Sequence, residues 1–129
     1  MVCHGGFSID ETVRRKWYNP EEILSSACLN TGMTFADIGC GDGFFSILAA
    51  KKVGKTGRIY AVDTDAEAIA RLEETAYTQD LTNITAKIGE AEKTIFCNGC
   101  VDVVFYSMVL HDFRDSIRVL QNAKVMLKL

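Results

Sequence analysis

The sequence lacks the long apolar stretches of membrane-spanning chains and the high proline content of collagen-like fibrous chains. It contains one proline and one tryptophan among 129 residues. No stretch approaches the roughly 20 consecutive apolar residues that a transmembrane helix requires. The N-terminus places charges where a signal peptide has its apolar region, so we expect a cytoplasmic protein. With 48% hydrophobic and 24% charged residues, the composition predicts an ordinary globular protein with one core.

Positive charge is also not in excess. The chain has 14 Lys and Arg residues against 17 Asp and Glu residues, which gives a formal net charge of -3. A chain of this charge has no overall field that attracts phosphate backbones. Nucleic acid is therefore an unlikely partner, and the same composition predicts no membrane partner.

Apolar strands alternate with helical patterns from residue 34 onward. Short apolar runs at 34–38, 58–62, 83–88 and 101–107 predict four strands. Helical periodicity follows three of them: one helix ends at Gly54, one begins at a Thr64 capping box, and one begins at Asp112. In the last helix we expect one buried apolar side, formed by Phe113, Ile117, Leu120, Val125 and Leu127. This alternation predicts a parallel sheet with helices on both faces, preceded by an N-terminal helical segment at 1–33.

The residues directly after the predicted strands are those suited to ligand binding. Three glycines alternate after the first strand: Gly39, Gly41 and Gly43. Glycines here let a ligand approach backbone N–H groups at the start of a helix. The spacing departs from the dinucleotide fingerprint, because Phe44 replaces its last glycine. Asp63 follows the second strand, where a carboxylate accepts hydrogen bonds from ribose hydroxyls, so the pattern indicates a nucleoside-containing ligand.

Five motifs, in order, resemble the class I S-adenosylmethionine-dependent methyltransferases. They are FADIGCGDGFFSILAA, YAVDTD, KIGEAE, VDVVFYSMVLHDF and VLQNAKVMLK, and they extend from about residue 35 to the C-terminus. The resemblance implies an α/β, Rossmann-like, doubly wound and mostly parallel sheet over residues 34–129, with S-adenosylmethionine as cofactor. The SMVLHD stretch is most similar to family members that act on small molecules, such as those of quinone biosynthesis.

The resemblance also implies roles for individual residues. Asp37 and the glycine loop are expected to hold the methionine part of the cofactor, and Asp63 its ribose. Glu90 is expected to meet the adenine amine, with the Ala91 N–H on the ring, while Ser107 and Met108 border the sulfonium. The expected cofactor-binding residues are Asp37, Gly39, Cys40, Gly41, Gly43, Asp63, Thr64, Glu90, Ala91, Ser107 and Met108.

Several of these residues have plainer interpretations. Asp63 also suits a helix N-cap, and Glu90 suits the first turn of a short helix. His111 is a candidate general base for the acceptor, although it could simply line the pocket while Asp112 caps the last helix.

The cysteines leave a further alternative open. Cys97 and Cys100 have the spacing of half a zinc site or of a redox pair, but the Asn-Gly between them is a turn signal and no second C-x-x-C exists. We expect no metal. Five cysteines, an odd number that lie mostly in apolar segments, favour reduced thiols.

The predicted function is methyl transfer to a small-molecule acceptor. The alternatives are methylation of tRNA or protein, and a non-catalytic module that binds S-adenosylmethionine. The family's sheet usually has seven strands, whereas this chain ends after the helix that follows the fourth, so we expect a C-terminally incomplete fold. The strand at 101–107 is then a sheet edge, and we expect a homo-oligomer or another chain to cover it.

Overall fold

The computed structural model describes residues 6–8, 20–106 and 113–128. In this part of the chain, strands β1 to β5 form one sheet in the order β1-β5-β2-β3-β4, and every pairing is parallel. The strands are Gly6–Ser8, Thr34–Ile38, Arg58–Asp63, Ile84–Ile88 and Val103–Tyr106. Helices α1 to α4 are Pro20–Ser26, Phe44–Val53, Ala66–Thr78 and Ser116–Met126, and a 3-10 turn covers Ala91–Lys93.

Alternate side chains of the central strands face two separate apolar layers. On one face, Phe35 of β2 and Phe105 of β5 lie with ring centroids 5.5 Å apart, and Phe45 of α2 packs against Phe105 at 4.8 Å. On the other face, the next residue along each strand packs against α4. Burial on both faces explains why these strands are apolar without a polar alternation. The predicted α/β, Rossmann-like sheet is confirmed.

Two helices begin at a different residue from the one predicted. The side chain of Asp65 accepts hydrogen bonds from the backbone N–H groups of Glu67 and Ala68 at 3.0 and 3.2 Å, so Asp65 caps α3. The capping box at Thr64 is therefore wrong by one residue. Asp115 caps α4 by accepting from the Arg118 N–H at 3.1 Å, whereas Asp112 lies outside the described residues.

The predicted buried side of the last helix is wrong for its three residues within α4, whereas Phe113 and Leu127, which flank the helix, pack against the core. Ile117 is 70% exposed and Leu120 is 47% exposed. The side chains that α4 buries against the sheet are Val119, Asn122, Ala123 and Met126. Small side chains let a helix pack close to a sheet, and in α4 the small residues that face the sheet are Val119 and Ala123. Hydrophobicity alone therefore identified the wrong side.

The strand at the predicted sheet edge, β5, is covered within this chain. Strand β1 pairs with β5 in parallel, with Gly6 opposite Val104 and Ser8 opposite Tyr106. The expected open edge is wrong, and the association that we inferred from it loses its basis. The N-terminal segment at 1–33 thus contains a strand as well as the helix α1. A pairing between residues about one hundred positions apart left no local signal in the sequence.

The cysteines also differ from the expectation of reduced thiols. Cys97 and Cys100 form a disulfide with their Cα atoms 5.9 Å apart, within the usual range for a bridge, and Cys28 is disulfide-bonded as well. Two sulfurs that are joined in a disulfide are not available as thiolate ligands for zinc. Among the described residues, Cys40 is a buried free thiol. No helix in the described ranges is long and apolar enough to cross a membrane.

Candidate functional site

The glycine loop crosses from the end of β2 towards β3 before it enters α2. The backbone N–H groups of Gly39 and Cys40 donate to the carbonyl of Val62 at 2.9 and 3.0 Å. The loop glycines have positive φ angles of 75°, 58° and 86°, in the left-handed region that glycine enters without strain. A Cβ atom on Gly41 would meet no atom within 4 Å, so the loop backbone borders open space there. The loop thus presents main chain, and no bulky side chain, to that space.

Asp63 ties the glycine loop to the end of β3. Its Oδ2 accepts a hydrogen bond from the Gly41 N–H at 2.8 Å, and its Oδ1 accepts one from the Asp65 N–H at 2.9 Å. Each carboxylate oxygen has a further lone pair, so both can accept another donor. The N-cap interpretation of Asp63 is wrong, because the Asp65 side chain caps α3. Both oxygens of this carboxylate are therefore able to accept hydrogen bonds from the hydroxyls of a ligand.

Asp37 lies behind the loop instead of on its open side. Its side chain is fully buried, and its Oδ2 accepts a hydrogen bond from the Ser46 hydroxyl of α2 at 2.7 Å. This contact joins the end of β2 to the first turn of α2 beneath the glycines. Asp37 therefore supports the loop through its contact with Ser46 and does not face the solvent.

A cavity of about 340 Å³ opens at the carboxyl ends of the strands. Its volume lies in the range of roughly 300–1,000 Å³ that is usual for small-molecule sites. Five of the predicted residues line it: Gly39, Asp63, Thr64, Glu90 and Ala91. Cys40, Gly41 and Gly43 belong to the neighbouring loop and Asp37 belongs to the end of β2 behind it, and none of the four is among the lining residues. The structure thus brings the predicted ribose and adenine residues together around one space.

Glu90 lies at the rim of this cavity and is paired with a cation. Its Oε2 lies 3.0 Å from the Lys93 Nζ, and 40% of its side chain is exposed. The hydrogen bond and charge of Lys93, with a smaller contribution from Arg114, lower the pKa of Glu90 below its usual value. Its side chain caps no helix. The carboxylate is therefore ionised near neutral pH and able to accept a hydrogen bond from an amine.

Five further residues that line the cavity were not among the expected cofactor-binding residues. Phe113 and Arg114, which precede α4, line it together with Val62, Gly89 and Glu92. Phe113 had been placed on the buried side of the last helix, but that helix begins only at Ser116. A signal was present, because these two residues follow the last strand and functional residues gather after strands.

Three predicted site residues lie outside the described part of the chain. They are Ser107, Met108 and His111. Their roles stay predictions. Of the described residues on either side of them in sequence, Tyr106 ends β5 and Phe113 lines the cavity.

Cys40, the thiol within the glycine loop, is expected to be unreactive. Burial, reinforced by the Asp37 and Asp63 carboxylates, raises the pKa of this thiol well above its usual value. Its Sγ donates to the Gly41 carbonyl at 3.4 Å. The thiolate is the reactive form, so the native protein should resist alkylation at Cys40 at pH 8, whereas the unfolded protein should react. Peptide mass mapping after iodoacetamide treatment measures this, and rapid labelling of native Cys40 would contradict it.

Comparison with known proteins agrees with this geometry. The sequence profile of the methyltransferase-domain family matches residues 29–129. A SAM-dependent methyltransferase from Aquifex aeolicus has a similar structure, with a TM-score of 0.81 and 28% identity over 92% of this chain and 63% of that one. The chain belongs to the class I S-adenosylmethionine-dependent methyltransferases. The family's cofactor is S-adenosylmethionine, as the sequence motifs implied.

Two curated relatives of this methyltransferase chain act on different acceptors by name. An arsenite methyltransferase of Halobacterium salinarum is 31% identical over 110 residues, which cover 80% of this chain and 27% of that protein. A probable cobalt-precorrin-6B C(15)-methyltransferase of Methanosarcina acetivorans is 35% identical over 81 residues, which cover 63% and 44%. The chain thus spans less than half the length of these two relatives. Neither name concerns quinones, so the quinone resemblance stays a prediction.

The residues of the site fit this cofactor on their own chemistry. An adenosyl group needs acceptors for two hydroxyls and for an exocyclic amine, and Asp63 and Glu90 are carboxylates on the same cavity. A methionine part needs room beside the glycine loop, and the open space at Gly41 supplies it.

Proposed function

We propose that this chain binds S-adenosylmethionine in the cavity at the carboxyl ends of β2, β3 and β4 and transfers its methyl group to a small-molecule acceptor. The observation that carries the proposal is the placement of Asp63. Its carboxylate is fixed by the N–H groups of Gly41 and Asp65 at 2.8 and 2.9 Å and lies on the cavity wall. This geometry suits the two hydroxyls of a ribose.

We assign each part of the cofactor to a different group of residues. We assign the ribose to Asp63 with Thr64, and the adenine to Glu90 and the Ala91 N–H. The glycine loop with Cys40 takes the methionine part, and Asp37 supports that loop through Ser46. Ser107 and Met108 are proposed to border the sulfonium. Family membership and the shared cavity support these assignments.

Positioning accounts for most of the chemistry that the chain must perform. S-adenosylmethionine supplies a methyl group activated by a cationic sulfur. The task of the protein is to hold an acceptor nucleophile in line with that carbon and to exclude water. A buried, unionised Cys40 beside the glycine loop leaves no competing thiolate nucleophile at that position. His111 is the proposed base for acceptors that must lose a proton.

We propose a small acceptor because the relatives named above methylate small molecules or ions. The net charge of -3 provides no general attraction for tRNA. A non-catalytic binding module is separated from an enzyme by product formation alone. An acceptor screen with radiolabelled S-adenosylmethionine therefore follows once binding is measured.

Calorimetric titration with S-adenosylhomocysteine tests the binding part of the proposal. We expect saturable binding with one site per chain, and no binding of NAD at the same concentrations. NAD is the matched control, because it also contains an adenosine ribose but needs the glycine that Phe44 replaces. Equal affinity for NAD, or no binding of S-adenosylhomocysteine by folded protein, would contradict the proposal.

A further inference from the structure

The turn that follows β4 is held by two buried side chains from inside the protein. The Nδ2 of Asn122 donates to the carbonyl oxygens of Ala91 at 3.2 Å and of Glu92 at 2.8 Å. The hydroxyl of Thr94 donates to the carbonyl of Glu90 at 2.6 Å. Three consecutive carbonyls of the turn therefore point into the protein.

This arrangement determines where the N–H groups of the turn point. In a planar trans peptide, the N–H and the C=O lie on opposite sides of the chain. Because the carbonyls of Glu90 and Ala91 face Thr94 and Asn122, the N–H groups of Ala91 and Glu92 face the other way. Both residues line the cavity. The anchors thus direct two backbone donors towards the cavity side.

Asn122 is an unusual residue for its position. It is 7% exposed and lies on the side of α4 that otherwise buries apolar residues. Burying an amide costs free energy unless its hydrogen bonds are made, and an apolar side chain would pack here without that requirement. A carboxamide has two N–H donors, and here its nitrogen serves two carbonyls. The hydrogen bonds to the turn therefore account for an amide side chain at this buried position, where packing in the core would not require one.

We propose that Asn122 is a positioning residue for cofactor recognition, because it fixes the orientation in which the turn at Ala91–Lys93 presents its N–H groups to the adenine ring. The inference rests on the proposed function and adds to it a residue of α4 that does not line the cavity. Because α4 packs directly against this turn, the inference gives the helix a role in adenine specificity.

The test compares two nucleosides that differ only in the ring edge. Adenine has an acceptor at N1 and an amine at C6, whereas hypoxanthine has a donor at N1 and an oxygen at C6. A site built around a hydrogen bond rejects the analogue that cannot form it. We expect the wild-type chain to prefer S-adenosylhomocysteine over S-inosylhomocysteine, and Asn122→Ala to lose about tenfold of that preference.

Asn83 provides a matched control. It is 8% exposed, and its Nδ2 also donates to two carbonyls, those of Ala50 at 3.1 Å and Gly54 at 2.9 Å, which do not line the cavity. Asn83→Ala should lower the thermal stability but leave the preference within about twofold of wild type. A general loss of stability would affect both variants alike, so the ratio of affinities isolates the positioning role.

The outcomes separate this inference from the function on which it rests. An Asn122→Ala preference equal to that of Asn83→Ala overturns the inference alone. Absence of S-adenosylhomocysteine binding in the wild-type chain overturns the proposed function and this inference with it. If Asn122→Ala does not unfold cooperatively, Asn122→Ser is measured with the same two outcomes, since its hydroxyl is too short to reach both carbonyls.

Discussion

Replacement of Asp63 by alanine is expected to raise the Kd for S-adenosylhomocysteine by at least about 100-fold. Two charge-assisted hydrogen bonds to the ribose hydroxyls would be lost, each contributing roughly 1.5–3 kcal/mol. The substitution also removes the acceptor for the Gly41 N–H, so the glycine loop loses one of its hydrogen bonds to β3. Calorimetric titration of both proteins measures the effect directly.

Asp65→Ala is the appropriate control for this variant. It removes a carboxylate two residues away and the cap of α3, which costs about 1 kcal/mol of stability, but it keeps the backbone N–H that binds Asp63. We expect its affinity for S-adenosylhomocysteine to stay within about threefold of wild type, since its side chain bonds only to the start of α3. If Asp63→Ala bound as tightly as Asp65→Ala, the ribose assignment would be wrong.

Gly43→Ala is expected to destabilise the fold by roughly 2–5 kcal/mol, the largest effect on stability that we predict. Gly43 has a φ of 86°, where an L-residue is strained, and a Cβ atom there would collide with the side chain of Leu72. Leu72 is fully buried in α3 and is not free to move aside. Urea denaturation, analysed with a common m-value, measures the difference in unfolding free energy.

Gly99→Ala separates strain from collision. Gly99 has a similar φ of 67°, but a Cβ atom there would meet no atom within 4 Å. Its substitution should cost only about 1–2 kcal/mol, the penalty of the left-handed conformation. In the Gly43→Ala/Leu72→Ala double variant the collision is removed. Its loss of unfolding free energy should therefore be smaller than the sum of the losses in the two single variants. Equal losses in Gly43→Ala and Gly99→Ala would mean that the contact with Leu72 is unimportant.

Local patterns in the sequence were sufficient for most of the fold and half of the site. Each strand from β2 to β5 is a short apolar run, the glycine loop directly follows β2, and Asp63 is the last residue of β3. Five of the eleven expected cofactor-binding residues line the cavity, and four more form the adjoining loop or support it. These features are encoded over a few neighbouring residues, where turn chemistry and burial act together.

Other features depend on residues that are distant in sequence, and only the tertiary structure decided them. The pairing of β1 with β5, the buried side of α4 and the placement of Phe113 and Arg114 on the cavity wall all follow from packing. Nothing in the sequence around Asn122 indicated its hydrogen bonds to the turn at Ala91–Lys93, which lies about 30 positions away. The sequence by itself determined the family, the cofactor class and the order of the elements from β2 onward, because motifs are local. The structure decided which side chains meet, because those contacts form only when the sheet and its helices come together.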